Sequence, residues 1–198
     1  ERSNSHLPAD DLMRRAEIAQ AVGLRPADLP FIGELVDVDP AHKEWRVALE
    51  KLLRTYARRI LVPADKFGDV AAYVNKTDFV NARIRLERVQ PRTMRFTMSE
   101  PDPRRAYAKL KIKPNTRFAD WLHNALTTQY DHVCFTSVKD YERHQGAAIT
   151  LEGLLKGKAD YHEKRDDIRI RSARDYFLGW DNEEKVRSLK AERAELDE

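Results

Sequence analysis

The sequence of 198 residues lacks several features that mark common functional classes. It has one cysteine, Cys134, so an internal disulfide framework is excluded. No apolar run approaches the roughly 20 residues that cross a bilayer as a helix, which points to a cytoplasmic protein with no membrane partner. The phosphate-binding pattern Gly-x-x-x-x-Gly-Lys-Ser/Thr is missing, because Asn75-Lys76-Thr77 has no glycine before the lysine. We therefore expect no ATP site in this chain.

Candidate catalytic and metal-binding groups are also sparse. His132 and Cys134 share one face of a predicted strand, but a Cys-His nucleophile needs an orienting partner and a zinc site needs two more ligands. Glu34, Asp37 and Asp39 offer oxygen ligands for Mg²⁺ near the end of another predicted strand, which leaves a metal-dependent, nuclease-like domain as an alternative. Solvated turn acids explain these carboxylates more simply. We expect no metal, no cofactor and no enzymatic activity.

Charge is unevenly distributed along the chain, although the net charge is only +3. Between Asn81 and Arg117 there are eleven lysines and arginines against three acids, whereas Asp181 to Glu198 carries seven acids against four bases. An anionic partner would therefore interact most strongly with the middle of the chain.

Hydrophobic periodicity predicts alternating helices and strands. Helices are predicted from about Pro8 to Gly23, from about Pro40 to Tyr56, and over 67–74, 118–129 and 138–144. Strands are predicted over 31–38, 59–62, 83–89, 107–112, 132–135 and 148–155. This order indicates an α/β (α+β) fold with mixed sheets and packed helices in two lobes. The predicted parts are an N-terminal helix (1–28), lobe 1 (29–103), lobe 2 (104–178) and a C-terminal helix (179–198).

Two basic segments are candidate DNA contacts. In the predicted strand 107–112, strict alternation places Leu110 and Ile112 inward. Tyr107 and the lysines at 109, 111 and 113 then point outward. One interpretation is that this face contacts a nucleic-acid backbone. The other is that the segment is an edge strand whose charged side chains prevent pairing with strands of other molecules. The second segment, 154–165, is either a contact with DNA or a partner subunit, or a mobile polar loop. The candidate DNA-binding residues are Lys109, Lys111, Lys113, Lys156, Lys158, Lys164 and Arg165.

The C-terminal residues 179–198 predict a helix with a clear start and no stop signal. Gly179 breaks the preceding structure, and Asp181 or Asn182 can cap the helix. A coiled-coil seam is indicated by the 3-4-3 spacing of Val186, Leu189, Arg193 and Leu196. The segment is either the root of a coiled coil or a frayed, solvated helix. The chain begins without Met or a signal sequence, so we expect a piece of a longer protein.

A series of short motifs runs in order from about Leu29 to Lys190. They are LPFIGEL (29–35), Trp45 with ALE (48–50), KLKIKP (109–114), FADWL (118–122), YDHVC (130–134), AITLEG (148–153), HEK (162–164) and LGWDN (178–182). Together they resemble the hinge region of MukB-like SMC proteins, most closely the JetC subunits of bacterial Wadjet systems. The chain departs from common SMC hinges after residue 153, where they have a Gly-rich turn that helps form the dimer contact. Here Lys156-Gly157-Lys158 and a charged stretch follow, which puts a standard hinge interface in doubt.

The resemblance implies a homodimerisation hinge between two antiparallel coiled-coil arms. The parent complex would be a DNA loop-extruding motor that acts against plasmids, with its ATPase head outside this chain. Residues 179–198 would begin the returning arm, and 1–5 would follow the outgoing one. The implied partners are a second copy of the chain, DNA near the nucleoid and other subunits of the complex. A protein-only adaptor without DNA affinity is a further alternative.

Overall fold

The computed structural model describes residues 5–90, 102–157 and 161–181. The α-helices in these ranges are α1 (Ala9–Ala21), α2 (Arg46–Ala57), α3 (Phe67–Lys76), α4 (Ala119–Gln129) and α5 (Val138–Arg143). The strands are β1 (Val36–Val38), β2 (Ile60–Pro63), β3 (Leu86–Val89), β4 (Leu110–Ile112), β5 (Val133–Phe135), β6 (Ala148–Thr150), β7 (Leu154–Lys156) and β8 (His162–Lys164). Among the described helices, none combines the length and apolar character needed to cross a membrane.

The strands form three small sheets within the described ranges. β1 pairs with β4 in antiparallel orientation, and β2 pairs with β3 in parallel orientation. The largest sheet has the order β5-β6-β7-β8, in which β5 and β6 are parallel and the other pairs antiparallel. The predicted fold class, a mixed α/β arrangement of packed helices and small sheets, is confirmed.

The main hydrophobic core draws on both halves of the chain. Leu49 and Leu53 of α2 pack in the same cluster as Leu122 of α4 and Ile149 of β6. The β1–β4 pair likewise joins residues from before and after the predicted lobe boundary at residue 103. Strand pairing and core packing therefore cross the boundary at residue 103. The division of the chain into two lobes stays a prediction.

Two predicted strands are partly replaced by 3-10 helices. In 31–38, residues Ile32–Glu34 form a 3-10 turn, because the Glu34 carboxylate accepts the Phe31 N–H at 2.9 Å and the Ile32 N–H donates to the Arg59 carbonyl. Only Val36–Val38 remains as strand. In 107–112, residues Ala106–Lys109 form the other turn. The two-residue side-chain period of a strand is lost in both places.

The predicted strand 148–155 is instead a hairpin of β6 and β7. The chain reverses at Gly153, whose φ of +83° is in the region that favours glycine. The Thr150 side-chain oxygen accepts the Leu154 N–H at 3.0 Å, and the Thr150 carbonyl accepts the Gly153 N–H at 3.0 Å. These bonds fix the tight turn. β7 then pairs with β8, a short polar strand that periodicity did not predict.

Candidate functional site

The two ends of the described chain lie side by side. The His6 ring nitrogen Nε2 is 2.9 Å from the Asp181 carbonyl oxygen, and the His6 side chain is buried against Gly179. The Gly179 N–H donates to the Gly33 carbonyl at 2.9 Å. The first and last described parts of the chain therefore lie next to each other.

The C-terminal segment 175–179 is held by Glu50 on helix α2. The Glu50 side chain is fully buried, and its carboxylate accepts the N–H groups of Phe177 at 2.9 Å and Leu178 at 3.1 Å. Burial raises the pKa of Glu50 to about 7, although the Arg46 guanidinium, with Nε 3.4 Å from the carboxylate, and the two N–H groups act in the opposite direction. The carboxyl group therefore titrates near neutral pH.

Two arginines on the same face of α2 hold the segment on either side of Glu50. Arg46 donates from Nη2 to the Leu178 carbonyl at 2.8 Å, and its guanidinium lies 4.1 Å from the centre of the Tyr176 ring. Arg54 donates to the Asp175 carbonyl and lies over the Phe177 ring. Positions 46, 50 and 54 are successive turns of one helix face. We call these three side chains the α2 clamp.

A close crossing of two chain segments completes this region. A Cβ atom on Gly33 would lie 2.4 Å from the Phe177 carbonyl oxygen and 3.2 Å from Ala57. Gly179 has a φ of +133°, which other residues rarely adopt. Sequence reasoning placed both glycines in motifs but did not pair them. In each motif the glycine directly follows a bulky apolar residue, Ile32 or Leu178, which was the available signal.

The three candidate magnesium ligands are each engaged by a cation. Glu34 pairs with Arg15, Asp37 with Arg46, and Asp39 with Lys111. The Ala41 N–H, followed by Lys111, lowers the pKa of Asp39. In the described part of the chain, no three His, Cys, Asp or Glu residues are grouped as metal ligands. The three acids contribute to ion pairs within the fold.

Cys134 is poorly suited to act as a nucleophile in this structure. Burial raises the pKa of the Cys134 thiol to about 12, so the thiolate is scarce at neutral pH. The His132 ring stacks on Tyr130, with ring centres 6.4 Å apart. Cys134 packs against the main hydrophobic core, as does Tyr130, the ring that His132 contacts.

The lysines around β4 divide into one buried and two exposed side chains. The prediction that Lys109 points outward is wrong, because the 3-10 turn directs its Nζ to the Pro103 carbonyl at 2.7 Å and towards the Trp45 ring at 5.6 Å. Lys111 and Lys113 are exposed as predicted. Lys111 also lies 3.2 Å from an Asp39 oxygen.

The basic residues after β6 are divided in a similar way. Lys156 is buried, and its Nζ donates to the carbonyls of Tyr141, Glu142 and His144 at 2.9, 3.2 and 3.0 Å. It thus binds the carboxyl end of α5, where a cation is favourable, and its predicted place in an exposed basic loop is wrong.

Lys164 and Arg165 lie nearer the surface than Lys156. Lys164 is exposed beside Asp166, with 3.0 Å between Nζ and the carboxylate oxygen. Arg165 is half-buried and pairs with Glu163. Lys158 and the predicted coiled-coil seam of Val186, Leu189, Arg193 and Leu196 lie outside the described residues.

Comparison with known proteins gives a likeness of structure and none of sequence. No protein-family model matches the chain, and no curated protein matches it. A structure of the folded elbow of cohesin has a TM-score of 0.55 at 15% identity, covering 79% of this chain and 22% of that one. The chain therefore spans about a fifth of that cohesin chain.

Two SMC hinge domains are also similar to most of this chain. The Pyrococcus furiosus Smc hinge domain with an extended coiled coil has a TM-score of 0.54 at 17% identity, covering 96% of this chain and 67% of that one. An asymmetric dimer of the Geobacillus stearothermophilus SMC hinge domain has a TM-score of 0.54 at 14% identity, covering 96% and 75%. At these identities the likeness concerns the fold, and the chain has the fold of SMC hinge domains.

Proposed function

We propose that this chain is the hinge of an SMC-type protein, which joins two copies into a homodimer and connects two coiled-coil arms. The observation that carries the proposal is that the first and last described parts of the chain meet, where His6 lies against Gly179 and the Asp181 carbonyl. A hinge between antiparallel arms needs both arms to leave at one place. The similar Pyrococcus furiosus Smc hinge domain has an extended coiled coil.

The α2 clamp supports the same role. Its six polar and ring contacts hold segment 175–179 on α2. This helix contributes several buried residues to the main hydrophobic core. A force applied along the returning arm would therefore reach α2 directly. Such a connection suits a domain that transmits the position of its arms.

Self-association has support from two outer strands. Within the described residues, no strand pairs with the outer edge of β3 or of β8. An open edge exposes backbone N–H and C=O groups that a second copy can pair with. Tyr161, next to β8, is 67% exposed and offers an apolar anchor there. The similar Geobacillus hinge domain is itself a dimer.

Light scattering over a dilution series tests the homodimer. We expect a mass near twice 23.0 kDa that does not change with concentration. Two identical chains would associate most simply through a two-fold contact. A monomer at every concentration would contradict the hinge proposal.

The finer assignment is to a Wadjet-type motor, in which this chain would be the hinge of a JetC subunit. It is supported by the order of the motifs from LPFIGEL (29–35) to LGWDN (178–182). The partners would be the other subunits of that complex and the DNA it extrudes, in the cytoplasm with the nucleoid. The role is mechanical and assigns no catalytic residue. The nuclease-like alternative loses its motivation, because Glu34, Asp37 and Asp39 are each paired with a cation.

A contact with DNA is proposed for the exposed members of the basic set, chiefly Lys111 and Lys113. Reversing both to glutamate should weaken binding to a DNA duplex of any sequence and lower the log-log salt slope by about 0.9 per lost contact. Fluorescence anisotropy over a range of KCl measures this slope. Lys139→Glu/Arg143→Glu, at exposed positions on α5, makes the same change of charge and is the control. Binding equal to that of the unmodified chain would reject the contact, and no DNA binding by the unmodified chain would favour the protein-only adaptor.

A further inference from the structure

Four arginines gather at the amino ends of β2 and β3. Arg58 and Arg59 directly precede β2, and Arg83 and Arg85 precede β3. Because these strands are parallel and in register, and the Ile60 N–H donates to the Arg85 carbonyl at 2.9 Å, the two arginine pairs enter the sheet side by side. We call these residues the arginine cluster.

The cluster holds more positive charge than its neighbours neutralise. Two carboxylates serve it: Asp11 accepts bonds of 2.7 and 2.9 Å from Arg58, and Glu87 accepts one of 2.7 Å from Arg59. Within the described ranges, neither Arg83 nor Arg85 takes part in an ion pair. Four cations and two anions leave a local charge of +2.

The uncompensated charge acts on Arg85 in particular. This side chain is half-buried, and burial, followed by the charges of Arg58 and Arg83, lowers the pKa of its guanidinium. Like charges held close together repel each other, and the repulsion is screened less at a partly buried group than at an exposed one. A bound anion would relieve this repulsion, so the cluster has the electrostatic character of an anion site.

We propose that the arginine cluster binds the phosphate backbone of nucleic acid. The planar forks of Arg83 and Arg85, which are not engaged by a carboxylate in the described ranges, each match a phosphate with two parallel hydrogen bonds. A DNA duplex carries about one negative charge per 1.7 Å of its axis, so several phosphates can face a cluster that spans two adjacent strands. An extended acidic peptide offers at most one carboxylate per about 3.3 Å, which favours nucleic acid as the partner.

The cluster adds a second surface to the proposed DNA contact and rests on that proposed function for its partner. The opposite ends of the same two strands, at Pro63 and Val89, line a cavity together with Arg117. Arg117 is four residues after Lys113, which belongs to the first proposed DNA contact. A four-residue strand is about 13 Å long, so the cluster lies about that far from Arg117 along the sheet. Contacts with phosphates carry no sequence information directly, so we expect binding without sequence preference.

The test compares Arg83→Gln/Arg85→Gln with the unmodified full chain in binding to a fluorescent DNA duplex over a range of KCl. Loss of two phosphate contacts should lower the log-log salt slope by about 1.8, which is twice 0.9. Lys139→Gln/Arg143→Gln removes the same charge from exposed positions on α5 and should change the slope far less. Glutamine keeps most of each side-chain stem, and circular dichroism checks that all three proteins are equally folded.

Three results would overturn the inference. A slope equal to that of the unmodified chain, or lowered only as much as in the control, would show that the cluster makes no phosphate contact. A loss of affinity for poly-glutamate but not for DNA would assign the cluster to an acidic peptide. Absence of DNA binding by the unmodified chain would remove both DNA surfaces, while the dimer mass would still test the hinge by itself.

Discussion

Replacing Gly33 with alanine should lower the free energy of unfolding by about 3 kcal/mol or more. The new Cβ would lie 2.4 Å from the Phe177 carbonyl oxygen, which is far inside van der Waals contact. Neither side of the contact can move easily. The Phe177 backbone is bound by Glu50, and the Gly33 carbonyl itself accepts the Gly179 N–H. On its other side the Cβ would meet Ala57, which is fully buried at the end of α2.

Chemical denaturation followed by circular dichroism measures this loss. The matched control is Gly68→Ala in α3, where a Cβ would meet no atom within 4 Å. Alanine is the better helix former there, so Gly68→Ala should raise the free energy of unfolding by about 0.5–1 kcal/mol. If Gly33→Ala proved as stable as the unmodified chain, segment 175–179 would not cross Gly33 as closely as described.

Helix α2 was predictable because it buries an apolar face over its whole length. Trp45, Leu49 and Tyr56 of the predicted face around α2 are all buried, and α1 gives way to Gly23, with a φ of +69°, as predicted. The strands were less predictable, since most have only three residues and cannot carry a recognisable two-residue period. Their bounds depend on partners far away in the chain, such as Ile112 opposite Val36.

The site was harder to predict than the fold, because its charged residues are used in the interior. Lys109 and Lys156 look like surface lysines in the sequence, yet each binds backbone carbonyls of another segment. The α2 clamp had a visible signal in the spacing of Arg46, Glu50 and Arg54. Its partner, segment 175–179, is more than 120 residues away and has no complementary charge pattern. Only the folded chain brings the two together.

Glu50 should make the protein less stable as the pH rises from about 5 to 8. Its carboxyl has an ordinary pKa of 4.5 and a pKa of about 7 in the folded chain. Between these values the folded state binds more protons than the unfolded state, so each rise in pH favours unfolding. The contribution of this one group is on the order of 3 kcal/mol over the whole range. It is fully present below the unfolded pKa and is lost above the folded one.

Other groups titrate in the same range, so the measurement is a difference between two proteins. Burial lowers the pKa of His144, for example, which makes the free energy of unfolding rise with pH and opposes the effect of Glu50. Glu50→Gln removes only the carboxyl titration and keeps one oxygen to accept an N–H of segment 175–179. Denaturation of both proteins at each pH gives two curves whose separation reports Glu50 alone.

We expect the free energy of unfolding of Glu50→Gln, minus that of the unmodified chain, to increase by on the order of 3 kcal/mol as the pH rises from about 5 to 8. Parallel curves would contradict the prediction, because they would show that Glu50 keeps its ordinary pKa and that Arg46 and the two N–H groups fully offset its burial. Glu50→Ala separates the hydrogen bonds from the charge, because it removes the acceptor of the half-buried Phe177 N–H and of the buried Leu178 N–H at any pH. That variant should lose about 2–5 kcal/mol at pH 5 as well. A loss that persists in acid, where the carboxyl is neutral, would mean that Glu50 stabilises segment 175–179 by hydrogen bonding, with its charge opposing that effect near neutral pH.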